Sequence, residues 1–389
     1  MIVIVDGVRT AMGGFQGSLA SCTAPDLGAA AIKAAVSRAG LQPADIDEVI
    51  FGCVLPAGLK QGPARQAMRQ AGLPDSTGAT TINKICGSGM KAVMQAADAI
   101  KAGSAEIVVA GGMESMSNAP YILDKARAGY RMGHGKVTDH MFQEGLEDAE
   151  TGLSMGILAQ DMADKKGYTR EQQDAFAINS LNKAVAAING GFFKAEIVPV
   201  TVSTRKGDIV VDTDEQPLSA KPEKIPTLRP AFKKDGTITA ANASSISDGA
   251  SALVITSEQT AQARGLKPLA KVAAYASHSQ HPSEFTIAPV GAIEKALQKA
   301  GWDAKDVDLW EVNEAFAMVT MLAIDGFNLD EAKVNVNGGA CSLGHPLGSS
   351  GSRIIVTLIH ALKRTGGKKG VAALCIGGGE ATAIAVELL

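Results

Sequence analysis

A chain of 389 residues exceeds the length at which single cores usually stop growing, so two or three domains or two fused halves are expected. Its 46% hydrophobic and 20% charged residues are those of a globular protein. The net charge of −3 excludes an electrostatic whole-surface partner such as nucleic acid. No apolar run approaches the roughly 18–20 residues of a membrane span, and 4% aromatics with 43 glycines suggest an α/β interior of small aliphatic side chains.

The amino-terminal MIVIVDGVRT carries no basic leader and meets Asp6 early, so it reads as a first strand. From Ala34 to Gly52 the chain predicts an amphipathic helix, an Ala-Gly stop, an Asp-rich turn and an apolar strand. From Thr81 to Ser115 it predicts a strand, a Gly-rich turn, a helix starting at Gly87-Ser88-Gly89 and a second strand. Met90, Val93, Met94, Ala97 and Ile100 fall on one face of that helix and form a core stripe. Residues 118–242 differ in character, being rich in Met, Gly and charge. They contain a helix opened by a Thr169/Gln172 capping box and closed at Gly190-Gly191.

The first pattern then returns. Glu294 to Val312 repeats the helix, stop, turn and strand. Asn335 to Glu380 repeats the strand, Gly-rich turn, helix and strand, with a helix starting near Ser349-Ser350-Gly351. Repeated βαβ units imply a parallel sheet in each half. The expected division is 1–117 with 243–268 as an amino-terminal half, 118–242 as an inserted loop domain, and 269–389 as a carboxyl-terminal half.

The cysteines Cys22, Cys53, Cys86, Cys341 and Cys375 are odd in number and match no disulfide or zinc framework. No metal is expected, and a reducing, cytoplasmic setting is the default. Cys22 and Cys53 read as small buried hydrophobes. Cys86 lies where the apolar strand TINKI meets a helix start, a position that lowers a thiol pKa and makes a nucleophile. A buried structural thiol is the competing reading. His345, in GGACSLGHPLGSSG, occupies the equivalent turn of the second half, so the repeat brings thiol and imidazole to one edge of the fold. His134, His140, His278, His281 and His360 read as surface or loop residues. Cys375 ends the apolar strand VAALCI and runs into three glycines that cannot shield it, which suits proton transfer. Asn313 ends the strand DLWEV, where its amide can hold a water or a carbonyl oxygen.

The motifs NKICGSGMKA, NEAFA, NGGACSLGHPLGSSG and CIGGGEA together resemble the thiolase family, in the family's order and over essentially the whole chain. That resemblance implies an α/β fold of two similar βαβαβαββ halves in a five-layer αβαβα arrangement, covered by the inserted loop domain. It implies a homotetramer, a dimer of dimers, with Tyr121 to Met141 as the tetramerisation segment; a solvated loop is the alternative there. The implied reaction is the reversible Claisen condensation of two acetyl-CoA to acetoacetyl-CoA and CoA through an acetyl-Cys86 intermediate. Coenzyme A thioesters are the substrates, and no cofactor and no membrane partner is expected. In the implied roles His345 accepts the thiol proton and, with a water on Asn313, binds one oxyanion. Cys375 deprotonates the second acetyl-CoA, and the amides of Cys86 and Gly377 form the other oxyanion hole. Met155, Phe316 and Phe285 would line the acyl pocket, Ser244 would meet the pantetheine arm and Lys221 or Lys224 the CoA phosphates, each with ordinary packing or solvation as the alternative. FTIAP (Phe285 to Pro289) and WEVNEAF resemble short-chain acetoacetyl-CoA thiolases. Ser154 stands where many biosynthetic relatives carry His, and Phe176 where a potassium-activated relative has Tyr.

Three rival readings remain: a degradative 3-ketoacyl-CoA thiolase of longer chains, a decarboxylating ketoacyl synthase, and a non-catalytic acyl-CoA-binding protein. A phosphate loop is excluded because the Gly-rich stretches lack the Gly-Lys-Ser/Thr ending.

Overall fold

The computed structural model describes residues 1–389. Nine strands form the main path of an eleven-stranded central sheet, and two short strands, Gly13–Gly14 and Ile197–Val198, pair beside it. The nine are β1 (Ile2–Thr10), β2 (Glu48–Gly52), β3 (Gly78–Ile82), β4 (Ile107–Ser115), β5 (Ser247–Ser257), β6 (Ala270–Ser279), β7 (Leu309–Val312), β8 (Lys369–Ile376) and β9 (Glu380–Leu388). The helices that matter here are α1 (Ala24–Arg38), α2 (Pro63–Gln70), α3 (Ser88–Ala102), α4 (Met155–Lys166), α5 (Arg170–Asn189), α6 (Ala288–Ala300), α7 (Ala317–Phe327) and α8 (Leu347–Thr365).

Strand order is β7-β8-β9-β6-β1-β5-β4-β2-β3. Within the first half β3, β2 and β4 run parallel and β5 antiparallel, as βαβ units with one return strand require. Within the sheet the halves pair at only two positions, Val3 with Lys271 and Ile4 with Ala270. The sheet is therefore two sheets hinged along β1.

Three apolar cores give the layers. One lies between α1, α2 and the outer face of the first half. One lies between α6, α7 and the outer face of the second. The third holds α3 and α8 side by side between both halves, with Met90, Val93, Ile354 and Leu358 fully buried. The result is the expected αβαβα stack. Each large side chain removed from water there contributes about 1.5–3 kcal/mol.

The second half departs from the repeat at one place. The strand expected at 335–337 is absent, and only an isolated bridge pairs Val334 with Trp310. The physical reason is a side chain. Asn335 takes the left-handed conformation (φ 45°), its Oδ1 accepts from the Val312 amide at 2.9 Å and its Nδ2 donates to the Val312 carbonyl at 2.8 Å. A carboxamide thus does what a strand backbone does at the equivalent edge of β2.

The stretch 118–242 carries α4, α5 and a hairpin of Val200–Thr204 with Gly207–Val211. Thr169 and Gln172 form the anticipated capping box on α5. Arg9 of β1 ties this stretch down. Its Nε donates to Glu196 at 2.5 Å and its terminal nitrogens to Asp214 at 2.7 and 2.8 Å, all fully buried.

The two central helices meet at their amino-terminal turns almost without side chains. A Cβ on Gly89 would lie 2.7 Å from the Ser352 amide and 3.0 Å from the Gly348 carbonyl oxygen, and one on Gly351 would lie 2.5 Å from the Met90 amide. One on Gly112 would overlap the Gly348 carbonyl. Gly89→Ala is expected to lower stability by about 1–3 kcal/mol. It should also slow acylation of Cys86 well beyond that, because the turns are forced apart. Gly78→Ala, where the nearest atoms lie at ordinary contact distance, should leave both unchanged. Denaturant midpoints and acyl-enzyme mass spectrometry check the pair.

Candidate active site

Cys86 sits in the turn between β3 and α3. The turn is over-determined: Ile85 N donates to Asn83 Oδ1 at 2.9 Å, Lys84 N to Ser88 Oγ at 2.8 Å and Gly87 N to Lys84 O at 3.0 Å. These bonds hold Ile85, a β-branched residue, at φ 46°, a conformation that costs strain and persists only where the surroundings impose it. The sulfur looks into a cavity of about 230 Å³ that His345, Cys375 and Gly377 also line.

The helix start was expected to lower the Cys86 pKa. The opposite holds: burial pushes the thiol up to about 11, against the opposing pull of the Gly377 and Cys86 amides directed at the sulfur, and the Glu114 charge adds to the rise. Desolvation by the surrounding protein is the largest contribution and outweighs the helix terminus here.

His345 is fixed by its backbone and by one side chain. Its amide donates to Ser245 O and Ser247 Oγ, both at 3.2 Å, and Gly344 before it stands at φ 112° against Ser247. The ring Nδ1 lies 2.5 Å from Ser350 Oγ, and that hydroxyl donates to Pro346 O at 2.9 Å. With its one proton committed to Pro346, Ser350 must accept from Nδ1–H. The tautomer follows: Nε2 is the free base, and it is buried with no protein partner. Burial first, then the cation of Arg353, pulls the imidazole down to about 3, so it is neutral at rest. Arg353 is itself buried 3.7 Å from Glu311.

Cys375 ends β8 as expected but is not unshielded. It is packed with Phe285, Phe316 and Met318 and is 1% exposed, and burial followed by the neighbouring Cys86 raises its thiol pKa well above the ordinary value. Asn313 is 1% exposed. Its backbone is pinned to Ala373 O at 2.9 Å, while both side-chain polar atoms lack a protein partner. It is not itself among the residues that line the cavity, though Ala315 and Phe316 beside it in the chain are.

The rest of the cavity lining is mainly apolar. Met155, Phe285, Phe316 and Ser244 are part of it, and so are Phe232, Met116 and Leu347, which the sequence reading did not single out. Phe316 is met edge-on by Phe232 (6.1 Å, 75°) and Phe285 (6.3 Å, 70°). Lys221 does not reach the cavity. It lines, with Lys224, an adjoining pocket that shares Ser245 with it. Three of the histidines set aside as surface or loop residues sit elsewhere. His140 is buried under the 53–57 loop, accepting from Ala57 N at 3.4 Å, while His278 is on β6 and His360 on α8, both half-buried. Cys53 is buried as expected, but Cys22 only in part.

Two positioning groups were not singled out by the sequence. Ser350, inside the His345 motif, is one. The other is Glu114, at the end of β4, whose carboxylate accepts from Val54 N (2.9 Å), Leu55 N (3.1 Å) and Gly348 N (2.8 Å). It binds the loop after β2 to the first turn of α8. Burial lifts it to about 7 against those three bonds. An acid inside the apolar strand IVVAGGMES was the signal available for it.

The chain matches the thiolase N-terminal domain over residues 2–259 and the thiolase C-terminal domain over 266–388. It belongs to the thiolase family. It is an acyltransferase of that family. It is 52% identical over 385 residues to an acetyl-CoA acetyltransferase of Pseudomonas aeruginosa, covering 98% of each chain. It is 53% identical to an acetyl-CoA acetyltransferase of Escherichia coli, covering 100% of this chain and 99% of that one. The crystal structure of the Bacillus anthracis acetyl-CoA acetyltransferase matches with a TM-score of 0.97 at 42% identity, covering 100% of this chain and 98% of that chain. A thiolase from Ascaris suum in complex with coenzyme A matches with 0.95 at 45% identity, covering all of both chains.

Ser350→Ala leaves Nδ1 without an acceptor and releases the tautomer. The acylation rate of this thiolase should fall about tenfold with little change in KM, since one buried hydrogen bond is worth about 1–1.5 kcal/mol. In the intact protein, nitrogen-detected NMR should find His345 Nε2 unprotonated down to pH 5. An imidazole titrating at its ordinary value would contradict the neutral resting pair.

Proposed function

We propose that this thiolase condenses two acetyl-CoA to acetoacetyl-CoA and CoA, and reverses the reaction, through an acetyl group carried on Cys86. The observation that carries the reading is that two thiols, Cys86 and Cys375, open into one cavity with His345. The name acetyl-CoA acetyltransferase borne by relatives about 50% identical over the full chain supports the substrate.

The proton balance closes on these groups. Cys86 passes its proton to His345 Nε2 as its sulfur bonds to the acetyl carbon. The thioester C–S bond breaks, and CoA leaves with a proton from Cys375. The Cys375 thiolate then takes a proton from the methyl carbon of a second acetyl-CoA, and the resulting enolate carbon attacks the acetyl group on Cys86. The C–S bond to Cys86 breaks, and the thiolate recovers its proton from His345. The amides of Cys86 and Gly377, aimed at the sulfur, are the donors for the oxyanion built there. Protonated His345 and a water on the unpartnered Asn313 amide serve the enolate oxygen. A neutral thiol–imidazole pair at rest fits this order, because the charged pair is formed only when the thioester is in place to consume it.

Ser244 is the contact for the pantetheine arm, and the adjoining pocket with Lys221 and Lys224 is the exit toward the CoA phosphates. No further cofactor is required by this chemistry. Residues 118–242 act as the loop domain over the cavity, between halves formed by 1–117 with 243–268 and by 269–389. Exposed Tyr121, Leu123 and Met132 support assembly through Tyr121 to Met141 into a homotetramer, and free thiols at both reactive positions suit the cytoplasm. The aromatic wall of Phe232, Phe285 and Phe316 argues for short acyl chains over the longer 3-oxoacyl substrates of a degradative thiolase.

Cys86→Ala should abolish acetylation by acetyl-CoA. Cys375→Ser should still be acetylated at Cys86 but lose condensation by about 10²–10⁴-fold, the usual worth of a positioned base. Equal loss of both steps would mean the roles are wrongly divided. Acetoacetyl-CoA should be cleaved at least about tenfold faster than a ten-carbon 3-oxoacyl-CoA, and Phe285→Ala should narrow the gap. Faster turnover of the long chain by the unaltered protein would overturn the short-chain reading.

A further inference from the structure

The donors proposed for the oxyanion on Cys86 come from two different turns, one before α3 and one between β8 and β9. Their separation is a tertiary quantity. The turns pack on each other through two isoleucines: a Cβ on Gly87 would overlap the Ile376 side chain, and one on Gly377 would lie 3.6 Å from Ile85 Cδ1. The second turn is built of glycine. Gly377, Gly378 (φ 84°) and Gly379 (φ 85°) follow one another, and the Gly377 amide is directed by no side chain of its own turn.

Besides the Gly377 amide directed at the Cys86 sulfur, one side-chain ion pair bridges the turns. Lys84 Nζ lies 2.6 Å from Glu380 Oε2, two residues before Cys86 and three after Gly377. Each end is anchored in a rigid element. Glu380 is the first residue of β9, paired with Ile376 and Ser279, and its Oε1 accepts from Ser279 Oγ at 3.0 Å. Lys84 is clamped through its backbone to Ser88 and Gly87. Burial disfavours the Glu380 carboxylate, but the bonds from Lys84 and Ser279 outweigh it and hold it below its ordinary pKa, so the pair is ionic.

We propose that Lys84 and Glu380 are positioning residues: their ion pair sets the gap between the Cys86 and Gly377 amides and so the quality of the oxyanion hole. The proposal rests on the acyl-Cys86 reading above. Partly exposed ion pairs add little to global stability, so a role confined to stability would leave the chemistry untouched. A misplacement of an oxyanion donor is instead read directly in rate.

The test uses Glu380→Gln, Lys84→Met and the exchanged pair Lys84→Glu with Glu380→Lys in the full-length protein. Both single variants should acetylate Cys86 and condense acetyl-CoA about tenfold more slowly, with KM within about twofold, the loss expected of a misaimed rather than a missing donor. Alkylation of Cys86 by iodoacetamide forms no oxyanion and feels the Gly377 amide only through the thiol pKa, so it should fall far less than acetylation, and the melting temperature should move by no more than a few degrees. The exchanged pair should recover at least half of the lost rate. Unchanged acetylation and condensation in the single variants would overturn the proposal. So would a raised KM with kcat intact, which would make Lys84 a substrate contact, or a parallel fall in alkylation, which would make the effect a local collapse. Failure of the unaltered protein to acetylate Cys86 would instead overturn the acyl-enzyme reading itself.

Discussion

The contact on which the site depends is the side-chain-free crossing of α3 and α8 at their amino-terminal turns. Gly89 and Gly351 on the helices, with Gly112 on β4 beneath, let backbone meet backbone. Cys86 immediately precedes one helix and His345 the other. Any added methyl group at this crossing separates the two turns by about its own radius. A catalytic thiol and its base lose their alignment over that same distance. The apolar stripes of α3 and α8 then hold the crossing in place from behind, in the middle core.

Around that contact the protein keeps charge scarce. His345 and Cys86 rest neutral because burial opposes both the imidazolium and the thiolate, and the buried Arg353 cation reinforces the first. What polar support there is goes to geometry. Ser350 selects the tautomer, Glu114 gathers three amides from two segments, and Asn335 finishes an edge that lacks a strand. Each is a buried group with its partners supplied, the condition under which buried polarity orders a site without unfolding it.

The inserted stretch completes the cavity. Through α4 it brings Met155 to the Cys86 end, and Phe232 to the aromatic wall. The buried Arg9 with Glu196 and Asp214 fastens the same stretch to β1. Removing one member would strand a buried charge, at a cost of about 3–5 kcal/mol. Substrate shape and fold stability are thus coupled through one segment.

Much of this was legible in residue order alone. The repeat of Ala34–Gly52 in Glu294–Val312, the core stripe of α3 and the capping box at Thr169 are local patterns, and period, caps and glycine stops are local physics. The equivalence of the two Gly-rich turns likewise marked Cys86 and His345 as neighbours. Three things were decided only in three dimensions. The direction of the Cys86 and Cys375 shifts depends on how completely the fold removes water, which outweighs the helix terminus that the sequence displays. The lost strand at 335–337 depends on one side chain finding the β7 edge. The parts of Glu114 and of the Lys84–Glu380 bridge depend on partners up to 296 positions away in the chain. Propensity and periodicity report a residue's near neighbours. Burial and bond partners are set by residues that only folding brings together.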